Sequence, residues 1–302
     1  MAHLLHQPIA EMRPLPRGDV SNLSYQRDPR IAQSGWVRVP RTLKRWTLGH
    51  GIALVSQPVP MTIVFAHATG FCGAVWRPVI EGLSPEFTKI AWDFPAHGLG
   101  PKLPLPVDWW SFGEFARDQL ADAEKPVLGV GHSMGGAALV MAEVLVPGTF
   151  AGLILIEPML FPPPYQRFDN PLSQVVGKRR RVFESKEAAR ANFVSKRPFI
   201  SWHPAALDGY IDDGLIETDH GVVLACVPED EADIYRGATA HGVWERAGEV
   251  KTPSLILAGE NSDTHDEARV RAIAGRLGQA GSRGGCAGYR PRRCHFHQTT
   301  ER

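Results

Sequence analysis

From residue 61 onward the chain carries short, unbroken apolar runs that end in turn residues: Met61-Thr-Ile-Val-Phe-Ala66, Phe87-Thr-Lys-Ile-Ala-Trp92, Val127-Leu-Gly-Val130, Gly152-Leu-Ile-Leu-Ile156 and Ser254-Leu-Ile-Leu-Ala258. Runs of this length suit strands buried on both faces, as in the middle of a parallel sheet. Helix-length stretches lie between and after them, at 74–83, 112–123, 134–146 and 267–277. Alternating strand and helix predicts an α/β protein with a doubly wound, mostly parallel sheet and helices on both faces.

The pattern breaks in three places. Residues 1–40 mix Pro, Arg, Asp and Gln without a period and read as an irregular extension, with an edge strand expected around 43–54. Residues 158–251 interrupt the alternation with Phe161-Pro-Pro-Pro164, a charged helix near 184–195 and a hairpin over 215–227 turning at His220-Gly221. This predicts an inserted, mainly helical cap, with the α/β core formed by 41–157 and 252–302. Residues 278–294 are rich in Gly and Arg, show no strand period and read as a flexible basic segment.

Composition narrows the function. The chain has 302 residues, 33 Lys+Arg against 32 Asp+Glu, 43% hydrophobic and 22% charged residues. That is a globular composition without the net field that recruits nucleic acid, so no nucleic-acid partner is expected. No apolar stretch reaches the roughly 18 residues needed to span a bilayer, so no stable membrane insertion is expected. Cys72, Cys226, Cys286 and Cys294 are too few for a disulfide framework in a chain of this length, and no basic-then-apolar leader opens it. The expected compartment is cytoplasmic.

The candidate chemistry centres on Gly131-His132-Ser133-Met134-Gly135, a G-x-S-x-G between an apolar strand and an apolar helix. Glycines on either side let a serine occupy a sharp, strained turn with its hydroxyl clear. The helix starting at Met134 adds positive potential where an oxyanion develops. A dinucleotide fingerprint is excluded, because its third glycine position holds Met134. A serine nucleophile needs a base and an acid, expected in the order serine, acid, histidine. Asp263, in the loop Gly259-Glu-Asn-Ser-Asp263, is the expected acid, and Glu157 at its own strand end is the rival. Of the histidines that follow, His265 lies too near the acid, His295 fits the order, and His297 is the fallback. Thr69 in His67-Ala-Thr-Gly-Phe71, with Gly70 close behind, and Met134 are the expected backbone donors of an oxyanion hole. His67 and the stretch Asp93-Phe-Pro-Ala-His97-Gly98 read as loop scaffolding, with Phe94 a candidate pocket residue, and His132 as elbow packing. Cys286, Cys294, His295 and His297 match no usual zinc spacing, so neither metal nor cofactor is expected.

Taken together, H-A-T-G-F at 67–71, D-F-P-A-H-G at 93–98, G-H-S-M-G-G at 131–136, I-E-P at 156–158 and L-I-L-A-G-E-N-S-D at 255–263 resemble the α/β-hydrolase family in order and spacing, over roughly residues 60 to 270. The resemblance implies a serine-hydrolase fold with an inserted cap, and carries nucleophile, acid and oxyanion roles onto Ser133, Asp263, Thr69 and Met134. Two departures stand out. His67-Ala68 replaces the usual His-Gly. Cys294-His295-Phe296 resembles the family's histidine turn, but the preceding strand is replaced by the Gly/Arg segment and the closing helix is absent, as either a shifted reading frame over 281–294 or a divergent or truncated tail would produce.

The resulting expectation is hydrolysis of a carboxylic ester or related small, apolar acyl substrate by Ser133, His295 and Asp263. A carbon–carbon bond hydrolase or a cofactor-free haloperoxidase would use the same triad. The rival from another class is an α/β-hydrolase-fold binding protein whose tail supplies no base. Phe161, Tyr165, Phe199, Trp202 and Trp244 suggest an aromatic-lined pocket, with plain core as the alternative.

Overall fold

The computed structural model describes residues 61–278 and the backbone of a strand at 287–289. The expected edge strand at 43–54, and Cys286, Cys294, His295 and His297, lie outside the described residues.

Six strands form one sheet: β1 (Thr62–Ala66), β2 (Thr88–Ala91), β3 (Val127–His132), β4 (Gly152–Ile156), β8 (Ser254–Leu257) and β9 (Ala287–Tyr289). Their order is β2-β1-β3-β4-β8-β9, and every pairing is parallel. Strand β9 corrects the expectation of a strandless segment over 278–294. Ala287, Gly288 and Tyr289 pair with Leu255, Ile256 and Leu257. Three residues at a sheet border need only backbone pairing, which leaves no apolar run to read.

Alternate residues of the strands feed two cores. One face, with Val64, Ala66, Leu153, Leu155 and Ile256, is covered by α2 (Trp110–Gln119), α3 (Met134–Leu145) and α9 (Glu267–Gly278). Helix α3 is buried from Met134 to Val144 and apolar there save for Glu143, as suits a helix wedged between the sheet and α2. The other face, with Ile63, Phe65, Val130, Ile156 and Leu257, packs against Val75, Trp76, Val79 of α1 (Arg77–Glu81) and side chains from the segment between β4 and β8.

That segment contains α4 (Pro171–Val176), α5 (Lys186–Val194), α6 (Pro204–Asp213), α7 (Pro228–Gly237) and α8 (Val243–Arg246), with a three-stranded antiparallel sheet. Strands β6 (Leu215–Thr218) and β7 (Gly221–Leu224) form the expected hairpin. A two-residue strand, β5 (Val182–Phe183), adds to β7. Asn170 and Ser185 cap α4 and α5 through their side chains. No helix among the described residues is long and apolar enough to cross a membrane.

Candidate active site

The register aligns the carboxyl ends of the central strands. Ala66 pairs with Gly131, Gly131 with Leu155, His132 with Ile156, and Ile156 with Leu257. The loops after β1, β3, β4 and β8 therefore leave along one edge, bringing 67–71, Ser133, Glu157 and 259–263 into a row. The strand order reverses between β1 and β3, and crevices at such switch points are where open α/β sheets bind ligands.

Ser133 sits on the turn from β3 to α3 at φ 52°, ψ −114°, a strained conformation for a side-chain-bearing residue. Close packing sets the glycine pattern. A Cβ on Gly131 would lie 2.8 Å from Gly135 backbone, and one on Gly135 would overlap the Ala66 and His67 carbonyls. Main chain holds the turn in place: Ser133 N–H donates to the Ile156 carbonyl (2.9 Å), and Gly135 N–H to the His67 carbonyl (3.1 Å). Ser133 occupies the N-cap of α3, but its hydroxyl makes no capping bond. A serine at this position ordinarily gives its oxygen to the second or third helical N–H.

In the loop after β1, Phe71 N–H donates to the Ala68 carbonyl (3.2 Å) and Gly70 adopts φ 80°, which a tight turn of this type requires at its third residue. The positive φ falls on Gly70, while Ala68 needs none, so alanine is accommodated where the family pattern has glycine. Thr69 and Met134 are both buried. As the first residue of α3, Met134 has an N–H without an intrahelical acceptor.

The histidines inside the molecule are neutral. Phe94 N–H donates to His67 Nε2 (3.0 Å), so the proton is on Nδ1, which donates to the Ala68 carbonyl (2.8 Å). Burial pushes His67 down to about 4, with the Ala68 bond opposing and the neighbouring His132 ring disfavouring a second proton nearby. His97 is pushed to about 3 by burial and by His67, and His132 to about 3 by burial with His265 contributing. His67 and His97 serve as scaffolding. Phe94 is wholly buried among His67, Phe112 and Phe115, in the core.

Asp263 stands exposed in the loop after β8. Glu157 is half-buried at φ 46°, and its Oε1 accepts the Gly259 N–H (2.8 Å). His265 is buried: Nε2–H donates to the Pro158 carbonyl (3.0 Å) and Nδ1 accepts from the Thr264 hydroxyl (3.0 Å). Burial lowers it to about 4, against the Pro158 bond. The structure thus brings Thr69, Ser133, Met134, Glu157 and the Asp263 loop to one edge. His295 lies outside the described residues.

One feature had no sequence signal. Glu231, nine-tenths buried or more, packs so tightly on Gly70 that a Cβ there would overlap its carboxylate. It pairs with Arg179 (2.5 Å), which also donates to the Tyr210 hydroxyl (2.9 Å). Burial pushes the Glu231 carboxyl up, and Arg179 opposes it. The aromatic residues, by contrast, do not line one pocket. Phe199 and Trp202 join Phe71, Phe193 and Tyr210 in a packed cluster. The Tyr165 hydroxyl donates to Glu245 (2.8 Å), the Arg269 guanidinium lies over Phe161 (4.8 Å), and Trp244 packs on the core of the opposite sheet face.

The model of the alpha/beta hydrolase family matches residues 63–292. The chain belongs to the alpha/beta hydrolase family. Among curated relatives, the pimeloyl-[acyl-carrier protein] methyl ester esterase of Legionella pneumophila (strain Corby) is 31% identical over 144 residues, 44% of this chain. The match spans 57% of that relative's length. Two solved structures share the hydrolase fold. Peroxisomal alpha-beta-hydrolase Lpx1 from Saccharomyces cerevisiae superposes at TM-score 0.63 and 18% identity, covering 76% of this chain and 70% of that one. E-2-(acetamidomethylene)succinate hydrolase superposes at 0.61 and 23% identity, covering 76% and 83%.

Proposed function

We propose that this protein is a serine hydrolase that cleaves a carboxylic ester or a related small acyl substrate. Ser133 attacks the carbonyl carbon, His295 takes the hydroxyl proton and returns it to the leaving group, and Asp263 orients the imidazole and stabilises its charged form. The N–H groups of Thr69 and Met134 stabilise the oxyanion. Water then repeats the sequence on the acyl-enzyme. The observation that carries the reading is the conformation of Ser133: strained, at the switch-point edge, with its hydroxyl making no capping bond to the helix it starts. The partial match to a methyl ester esterase supports the ester class.

The base finds support in β9. Running parallel to β8, it ends at Tyr289 on the edge where the Asp263 loop leaves, and His295 is the sixth residue beyond that end. At roughly 3.3 Å per extended residue the chain can span about 20 Å, ample to cross the three strand spacings of about 4.8 Å that separate β9 from β3. Residues 158–251 would cap this edge, with 41–157 and 252–302 as the core, in a cytoplasmic protein.

The test is labelling with a serine-directed fluorophosphonate, read by intact mass and peptide mapping, with Ser133→Ala and His295→Ala. Expected is one adduct on Ser133, absent in the first variant and slowed ~1,000-fold or more in the second. Folded protein that takes no label would reject the proposal; labelling that survives His295→Ala would move the base elsewhere.

A further inference from the structure

The turn after β4 is stitched to its surroundings at four consecutive residues. The Ile156 carbonyl accepts the Ser133 N–H (2.9 Å), and Glu157 Oε1 accepts the Gly259 N–H (2.8 Å). The Pro158 carbonyl accepts from His265 Nε2 (3.0 Å). Met159 gives its N–H to the Ser133 carbonyl (3.2 Å) and accepts from His241 Nε2 at its own carbonyl (2.9 Å). Gly259 and His265 bracket the loop that carries Asp263. One strap, 156–159, therefore touches the nucleophile at two points and the Asp263 loop at both ends.

Glu157 is strained where it makes its contact. Ala96, Ser133 and Glu157 are the non-glycine residues with positive φ among those described. Such a conformation costs about 1–3 kcal/mol and persists only where the surroundings over-determine it. Here the Glu157 N–H donates to the Leu257 carbonyl (2.8 Å), which continues the β4–β8 ladder one rung while the carboxylate turns across to Gly259.

We infer that Glu157 is a positioning residue: through its acceptor oxygen on the Gly259 N–H, paired with the Pro158–His265 bond, it holds the Asp263 loop in register with Ser133. The inference rests on the serine-hydrolase reading with Asp263 as the acid, and assigns Glu157 a role that needs geometry and no charge. Glutamine keeps an oxygen at that position; alanine removes it; aspartate keeps the charge but withdraws the oxygen by one methylene. All three retain a side chain at the positive φ, so backbone strain is shared.

Two measurements on the full chain test it. Amide exchange of the peptide covering 258–266 requires no turnover. Wild type and Glu157→Gln should exchange alike, and Glu157→Ala should exchange ~10-fold faster, the factor for one lost hydrogen bond. The rate of fluorophosphonate labelling of Ser133 should follow the same order, falling ~10-fold or more in Glu157→Ala and Glu157→Asp and recovering in Glu157→Gln. Asp263→Asn should be slow whatever stands at 157. If Glu157→Gln labels as slowly as Glu157→Ala, the charge matters and the inference fails; it fails equally if Glu157→Ala exchanges like wild type. Should Glu157→Ala not fold, Glu157→Asp against Glu157→Gln decides. A wild-type protein that never labels would reject the hydrolase reading, and exchange would still judge the clamp.

Discussion

The backbone around Ser133 leaves no room for a methyl group, and that can be measured by one substitution made twice. Gly135→Ala would drive a Cβ into the Ala66 and His67 carbonyls, main chain against main chain with no flexible end to yield. It should destabilise the protein by about 1–3 kcal/mol and suppress labelling of Ser133. Gly275, inside α9 with open space around its Cβ position, is the control: Gly275→Ala should stabilise by roughly 0.5–1 kcal/mol. Urea titrations of both variants check the pair, and equal midpoints would contradict the packing account. Gly70 belongs with Gly135, since it combines φ 80° with the Glu231 carboxylate against its Cα.

Among the elements, Glu143 is the tie between helix and sheet. Buried near the end of α3, it accepts from Gly148 N–H (2.7 Å), Phe150 N–H (3.1 Å) and the Thr252 hydroxyl (2.6 Å), joining α3 to the starts of β4 and β8. Glu143→Ala strands three donors and should cost about 3 kcal/mol, read as a lower urea midpoint at unchanged slope. A loss under about 1 kcal/mol would mean that water replaces the carboxylate. Elements of this sheet were legible where burial on both faces forces a continuous apolar run, as in β1 and β4. They were illegible where the backbone alone decides, as in β5 and β9, of two and three residues. The site followed the same division. Ser133 announced itself through local sterics, and the acids through their places after strands. The partners of His241 and His265, at Met159 and Pro158, lie 82 and 107 residues away, and the Gly70–Glu231 contact joins residues 161 apart; no local pattern encodes such pairings. The expected aromatic pocket failed for a related reason, because composition shows that rings are present and not which of them meet.

At the scale of the whole molecule, its histidines make it sensitive to acid. His67, His97, His132, His241 and His265 are all held below the ordinary 6.5, chiefly by burial, to values of about 4 or 3. The unfolded chain therefore binds more protons than the folded one between these values and 6.5. Stability from the neutral rings is complete above about 6.5 and drains away as pH falls towards the folded values. Melting temperature should fall steeply from pH 7 to pH 4.5, with uptake of several protons on unfolding; a flat profile across that interval would contradict the burial of these rings. His241 and His265 give this a local meaning, because both donate to the strap behind Ser133. The segment between β4 and β8 carries a different kind of consequence. Phe183, Phe193, Leu207, Tyr210, Ile211 and Leu224 share one core with Ile63, Phe65 and Ile156 of the sheet. Each such side chain is worth about 1.5–3 kcal/mol on burial. For an engineer, then, these residues are not a detachable module: exchanging the segment for a relative's would strip one face of the sheet of its covering, and any redesign here has to be made in place, side chain by side chain.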